Sequence, residues 1–370
     1  MASSTLPAPI VRGIVTCVPA RTFDNVSDTT SFTRDEVRKV VAMAGVGHRH
    51  VVDVGTCSSD LCYGAAVTLL EALAWDRSSV DGLVFVTQTP DYVMPSSSCV
   101  LQERLGLSSE CAAYDLGLGC SGYVYGLWLA ALMLQAGGLR RVLLLHGETP
   151  TLYADEADRS VSLLFGDAGS ATALERQEVP DARWTFVLRT DGSGYQHLIV
   201  RAGGFRDRFC PDRRSHYVSM DGAEVFNFTI RTVPPLIEDT LRTAGLSSDD
   251  VDYYVFHQSN RFIIRHLMTK CGLPVDKVPM TLDQFGNTGG PSVPLTITRG
   301  IDLSAAGRTL RVLLLGYGVG LSWGAALVTL PPGVVCGHVE WENGTVKTTE
   351  ACSTECRSTS DAGDRTHEHV

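Results

Sequence analysis

Val80-Asp81-Gly82-Leu83-Val84-Phe85 returns as Val251-Asp252-Tyr253-Tyr254-Val255-Phe256, and Arg141-Val142-Leu143-Leu144-Leu145 returns unchanged as Arg311-Val312-Leu313-Leu314-Leu315. Both returns come about 170 residues later and in the same order, the mark of an internal duplication. Between the two anchors each copy carries an Asp-to-Gly turn, Asp115-Leu116-Gly117-Leu118-Gly119-Cys120 in the first and Asp283-Gln284-Phe285-Gly286-Asn287 in the second. One apolar pentapeptide can recur by chance; three ordered matches at one offset are a strong signal. Short runs rich in Val, Leu and Phe alternate with helical patterns such as residues 60–73 and 234–244, which calls for α/β layers with buried strands. Two copies imply two sheets related by a pseudo-twofold, with halves expected at residues 1–178 and 179–332.

The composition agrees. With 370 residues, 44% of them hydrophobic and 19% charged, the chain can bury a large core. A formal net charge of -10 removes the attraction on which generic phosphate-backbone binding relies, so nucleic acid is not an expected partner. Residues 116–139 carry no charge, but the apolar part is shorter than the roughly 20 residues of a membrane span, and the segment reads as a helix buried between sheets. Pro7, Pro9 and Arg12 interrupt any N-terminal signal pattern. The expectation is a cytoplasmic protein whose eleven cysteines are reduced.

Beyond Pro331-Pro332-Gly333 the composition shifts to Ser, Thr, Glu, Asp and Gly, with seven acidic against three basic residues. Residues 333–370 are expected to be a disordered acidic tail, dispensable for stability and activity. Cys352-x-x-x-Cys356 and His367-x-His369 have no partner pair with ligand spacing, so no metal site is expected.

Polar residues break the repeat where chemistry would sit. The strand Val84-Phe85-Val86 ends apolar, whereas its second copy ends in His257, within Val255-Phe256-His257-Gln258-Ser259-Asn260. The turn that presents Cys120 in the first copy presents Asn287 in the second. A pseudo-twofold would bring Cys120, His257 and Asn287 towards one another. Cys120 opens a helix between Gly119 and Ser121-Gly122, where backbone N–H groups and the helix dipole lower a thiol pKa, and where glycines permit a strained elbow. Each residue alone has an ordinary alternative, a packing cysteine, a core histidine or a turn asparagine; the three in register do not.

These residues resemble the ketoacyl-ACP synthase III family of the thiolase superfamily. The resemblance runs from Ile10 to about Leu330 and rests on Asp115-Leu116-Gly117-Leu118-Gly119-Cys120-Ser121-Gly122, His257-Gln258-Ser259-Asn260, Gly286-Asn287-Thr288 and Gly316-Tyr317-Gly318-Val319-Gly320-Leu321-Ser322-Trp323-Gly324. It implies a five-layered αβαβα thiolase-like fold, normally a homodimer. It also implies an acyltransferase that needs no cofactor, its substrates being carried on the phosphopantetheine of acyl carrier protein or coenzyme A. In such an enzyme Cys120 takes an acyl group from a thioester, with the backbone N–H groups of Cys120 and Val319 as oxyanion hole. His257 and Asn287 then donate hydrogen bonds to a malonyl thioester, from malonyl-ACP, as it loses CO2 and condenses with acyl-Cys120.

The chain departs from the family at its mouth. The tryptophan that stacks on the adenine of coenzyme A is replaced in Asp35-Glu36-Val37, although Arg159 matches the arginine on the adenine's other side. The arginine that docks acyl carrier protein falls at Phe262, with Arg261 one place early, and Arg261 with Arg265 would share a helix face for an acidic partner. Met94 replaces the aromatic residue that closes the partner's acyl tunnel. From these departures the primer is expected to arrive on acyl carrier protein more readily than on coenzyme A.

Three other readings compete. The order Cys, His, Asn is also that of papain-like proteases, but their Cys-Gly-Ser-Cys-Trp signature is missing and they do not explain the duplication. A type III polyketide synthase, or a relative that transfers acyl groups without condensation, keeps the same cysteine. A non-catalytic scaffold would not need all three residues.

Overall fold

Asp81 and Asp252 make matching hydrogen bonds to the arginine that opens the second repeated strand of each half. The Asp81 carboxylate accepts the Arg141 amide at 2.9 Å and the Asp252 carboxylate accepts the Arg311 amide at 2.7 Å. Each aspartate thereby fixes the register of the parallel pair that follows, Gly82 opposite Val142 and Tyr253 opposite Val312. The repeated letters are thus a repeated ladder. These relationships come from a computed structural model that describes residues 2–136, 138–178 and 182–348.

The first sheet has seven strands in the order Thr345–Thr348, Val335–Glu342, Ile10–Pro19, Ala168–Glu175, Arg141–Glu148, Gly82–Val86 and Ala112–Leu116. The second has five, in the order Ala2–Pro7, Arg183–Thr190, Ser322–Leu330, Leu310–Gly318 and Tyr253–Phe256. Side-chain alternation explains how these strands separate layers. Leu83, Phe85, Leu143 and Leu145 pack with Leu61, Leu69 and Leu101 of outer helices Ser58–Ala72 and Ser97–Arg104. Val84, Val86, Val142 and Leu144 point the other way and share a core with Val255, Val312 and Leu314 of the second sheet. Helices Gly122–Ala136 and Ser292–Gly300 lie in that shared core. Helices Gly222–Ala244 and Arg261–Cys271 cover the far face of the second sheet, completing five layers. The first of these is longer than its 234–244 pattern, because Asp221 caps it upstream by accepting the Glu224 amide.

Two expectations need correction. The uncharged helix Gly122–Ala136 is not buried on every face: Tyr125, Trp128, Leu129, Leu132 and Met133 form a half-buried stripe. Nor is the region after Gly333 a disordered tail throughout. Val335–Glu342 runs parallel to Ile10–Pro19, and Thr345–Thr348 pairs with it antiparallel. Compositional reading averaged this segment with the polar residues beyond it, but its residues Val335, Val339 and Trp341 are buried against the Ser58–Ala72 helix. Each such burial contributes roughly 1.5–3 kcal/mol. Cys352, Cys356, His367 and His369 lie outside the described residues.

The termini also cross over. Ala2–Pro7 joins the second sheet through Arg183–Thr190, whereas Val335–Glu342 and Thr345–Thr348 complete the first. The halves read at 1–178 and 179–332 are therefore interlocked, each sheet finished by a strand from the other end of the chain. Among the described residues no helix is long and apolar enough to cross a membrane, and no group of three or more His, Cys, Asp or Glu could hold a metal ion.

Candidate active site

Cys120 stands in the loop between strand Ala112–Leu116 and helix Gly122–Ala136, in a tight turn where the Gly122 amide donates to Gly119 O at 2.8 Å. The flanking glycines serve close packing and not a left-handed backbone, strictly so at Gly122, where Val86 and His146 leave no room. A Cβ on Gly119 would come within 2.5 Å of Gln88 Oε1, and one on Gly122 within 2.6 Å of Val86. Neither residue has positive φ, which corrects the expectation of a strained elbow. The glycine loop after strand Leu310–Gly318 closes on the sulfur from the other half: a Cβ on Gly318 would sit 2.6 Å from Cys120 Sγ. Ser121 Oγ and Ser322 Oγ, 2.6 Å apart, tie the two loops together.

His257 follows strand Tyr253–Phe256, its amide donating to Leu315 O at 2.7 Å and its ring edge-on to Tyr317. Its Nδ1 lies 2.9 Å from Ser292 Oγ and 3.0 Å from Gly289 O. Asn287 is pinned by a short bridge to Phe165, its carbonyl accepting the Gly166 amide while its own amide donates to Leu164 O. Its Nδ2 donates to Ser259 O at 3.3 Å and its Oδ1 accepts the Gly289 amide at 3.0 Å, which leaves the second Nδ2 hydrogen for a ligand.

Cys120, Asn287, Gly289 and Val319 line one cavity of about 480 Å³ between the halves. Its far wall is apolar, built from Tyr195, Leu198, Ile199, Val200 and Val218, with Phe165 beside Asn287. A wider recess of about 1020 Å³, bordered by Ala8, Arg12, Asp250 and Arg311, contains none of the candidate residues.

Burial governs the protonation states. It holds the His257 imidazole down at about 4, so the ring is neutral at pH 7. The Cys120 thiol is pushed up to about 11 by burial, with the Glu148 carboxylate adding to the rise and the Val319 and Cys120 amides opposing it. This reverses the sequence expectation of a lowered thiol pKa. Amide donors do reach the sulfur, but the loss of water outweighs them. Glu148, on the same cavity wall, is raised by burial to about 8 although Gln88 and Thr89 donate to it.

The residues expected at the mouth are placed less favourably. Arg159 donates to Glu36 at 3.1 Å and Arg261 to Ala42 O at 2.7 Å, so each guanidinium already has a partner within the chain. Arg265 is exposed on the Arg261–Cys271 helix and does not line the cavity, and Met94 is 82% exposed on this chain's surface. Val37 is buried, so it offers no platform to a base. Sequence reasoning missed Ser292, Glu148 and the 198–220 hairpin. Ser292 was visible as the hydroxyl after Gly289-Gly290-Pro291, and Glu148 as the lone acid ending an apolar strand.

A duplicated five-layer fold with a cysteine at the start of a central helix defines the thiolase-like acyl-transferring enzymes. Similarity to known proteins selects the branch. Residues 114–192 match the family model described as 3-Oxoacyl-[acyl-carrier-protein (ACP)] synthase III, and residues 241–330 match the model of its C terminal region. A beta-ketoacyl-[acyl-carrier-protein] synthase III of Alkalilimnicola ehrlichii is 38% identical over 284 residues, 76% of this chain and 86% of that protein. The crystal structure of a 3-oxoacyl-(acyl-carrier protein) synthase from Burkholderia xenovorans is 40% identical with a TM-score of 0.88, covering 92% of this chain and 99% of that one. The priming beta-ketosynthase of the R1128 polyketide pathway is 28% identical with a TM-score of 0.78, covering 88% and 98%. The chain belongs to the 3-oxoacyl-[acyl-carrier-protein] synthase III family.

Proposed function

We propose that the chain catalyses the decarboxylative condensation of an acyl thioester with a malonyl thioester carried on acyl carrier protein, giving a 3-oxoacyl thioester. The observation that carries this reading is a half-free Asn287 amide on the wall of the cavity that also holds Cys120, with the neutral, buried His257 ring set behind that wall against Gly289. In the first half-reaction Cys120 sulfur bonds to the primer carbonyl carbon. The tetrahedral oxyanion is held by the Cys120 and Val319 amides, and the primer's thiol leaves with the proton that Cys120 gives up.

In the second half-reaction the malonyl carboxylate departs as CO2, and its bonding pair moves onto the thioester oxygen. That enolate oxygen takes hydrogen bonds from Asn287 Nδ2 and His257 Nε2. The enolate carbon then attacks acyl-Cys120, and the sulfur leaves and recovers a proton. His257 serves as a donor only if its hydrogen is on Nε2, and Ser292 sets this tautomer. Its oxygen accepts the Gln258 amide at 3.0 Å, so its hydroxyl hydrogen is free to donate to Nδ1 at 2.9 Å. Gly289 O is meanwhile satisfied by the Ser292 amide. The opposite tautomer would leave the buried Ser292 hydroxyl hydrogen without an acceptor, a cost of about 1–3 kcal/mol.

The half-buried stripe of helix Gly122–Ala136 and the edge strand Ala112–Leu116 support a homodimer formed along this side. The deciding experiment incubates the protein with an acyl primer and malonyl-ACP and follows CO2 and 3-oxoacyl-ACP. Formation of acyl-Cys120 without CO2 release would place the chain with acyl transferases that do not condense.

A further inference from the structure

Strands Leu198–Val200 and Val218–Met220 form an antiparallel hairpin whose stem walls the cavity through Leu198, Ile199, Val200 and Val218. Its tip, residues 201–217, continues directly from the strands that wall the cavity. Arg213 lies close enough to Asp155 to feel its charge, next to the segment in which Tyr153 lines the same cavity. The tip carries Arg201, Arg206, Arg208, Arg213 and Arg214 against Asp207 and Asp212, in a chain whose net charge is -10. All five arginines are exposed, and among the described residues none is in an ion pair. Phe205 and Phe209 are 76% and 88% exposed, with the Arg208 guanidinium 5.3 Å and 5.7 Å from their ring centres.

We propose that this arginine and phenylalanine tip is the docking surface for the acidic carrier protein that delivers the thioester, taking over from the helix after His257. The proposal rests on the carrier-dependent reading above. A local excess of positive charge on one loop of an acidic protein favours encounter of an acidic partner at that loop. Two exposed aromatic rings beside the guanidinium add an apolar contact that a helix of the partner can cover. The helix after His257 is poorly suited to the task, because Arg261 is spent on Ala42 O and Phe262 stacks on Phe226. A nucleotide is a poorer fit than a protein, because the five cations are spread along the whole of the 201–217 loop.

The test compares kcat/KM for one malonyl group on acyl carrier protein, on coenzyme A and on N-acetylcysteamine, using wild type, Arg206→Glu/Arg208→Glu and Phe205→Ser/Phe209→Ser. Expected is a loss of about tenfold or more with the carrier protein, the lower end of electrostatic steering effects. The N-acetylcysteamine rate should stay near wild type, and the charge-reversed variant should lose the salt dependence of the carrier reaction. Unchanged carrier use overturns the proposal. So does an equal loss on all three substrates, which would make the hairpin a cavity wall only, or a loss confined to coenzyme A, which would make it a nucleotide site. A lower mass in sedimentation for the variants would assign the tip to contact between copies and also overturn it. If wild type makes no 3-oxo product from any carrier, the condensation reading fails instead. The docking proposal is then decided by the rate of Cys120 acylation from acyl-ACP against acyl-N-acetylcysteamine in the same variants.

Discussion

Ser292 Oγ stands 2.9 Å from His257 Nδ1 while accepting the Gln258 amide at 3.0 Å, so one small side chain grips both residues that follow strand Tyr253–Phe256. Ser292→Ala should release Nδ1 to donate to Gly289 O and turn a lone pair on Nε2 towards the enolate. Cys120 acylation should persist while condensation falls by about 10²–10³, the scale of one lost oxyanion donor. Nitrogen NMR checks the tautomer directly, with the imidazole signals of His257 assigned by their absence from the spectrum of His257→Gln. Their shifts should report Nε2–H in wild type and Nδ1–H in Ser292→Ala. Unchanged shifts would remove Ser292 from the mechanism.

Asn287→Ala should separate the half-reactions in a different way. Its loss removes the anchor of the Gly289 amide and, on the proposed mechanism, one enolate donor, while Cys120 is left in place. Mass spectrometry should still show acyl-Cys120, with condensation down by about 10²–10³. Normal condensation would show that the enolate is held by other groups.

The Cys120 thiol, held at about 11 by burial, and the His257 ring, held at about 4, are both neutral between these values. Inactivation by iodoacetamide should therefore accelerate steadily as pH rises from 7 towards about 10, because each step exposes more thiolate. A rate already level at pH 7 would reveal a thiolate–imidazolium pair.

Glu148 binds its proton more tightly folded, at about 8, than it does unfolded, near 4.5. Its contribution to stability is full below the unfolded value and is lost as pH rises through the folded one. Glu148→Gln should match wild type in thermal melts near pH 4.5 and exceed it by about 2–5 kcal/mol at pH 9. Equal melting at both pH values would show that the carboxylate is solvated when folded.

Trp341→Ala should destabilise the protein by about 3–5 kcal/mol, and removal of residues 335–370 should cost more, since the Ile10–Pro19 strand loses its parallel partner. Denaturant melts of both variants decide this. Near-normal stability would mean that the strand adds little.

The duplication was legible because repeated letters such as Val80-Asp81 and Val251-Asp252 encode repeated hydrogen bonds, and Cys120, His257 and Asn287 stood out because they interrupt that repetition. The Cys120 pKa was not legible, since a helix start is local while desolvation depends on Gly318, Val319 and the other half closing over the sulfur. The strand at Val335–Glu342 escaped for a similar reason. Its pairing partner lies at the opposite end of the chain, and no local pattern records so distant a neighbour.

That distance fixes an order of events during synthesis. While the ribosome is still making the second half, Ile10–Pro19 presents a bare edge with nothing yet translated to pair with it on that side. An open edge in a half-made chain invites the wrong strand. The Val335–Glu342 strand thus acts as the seal on Ile10–Pro19, and a message truncated shortly before it yields a polypeptide whose first sheet stays open to chaperones and proteases.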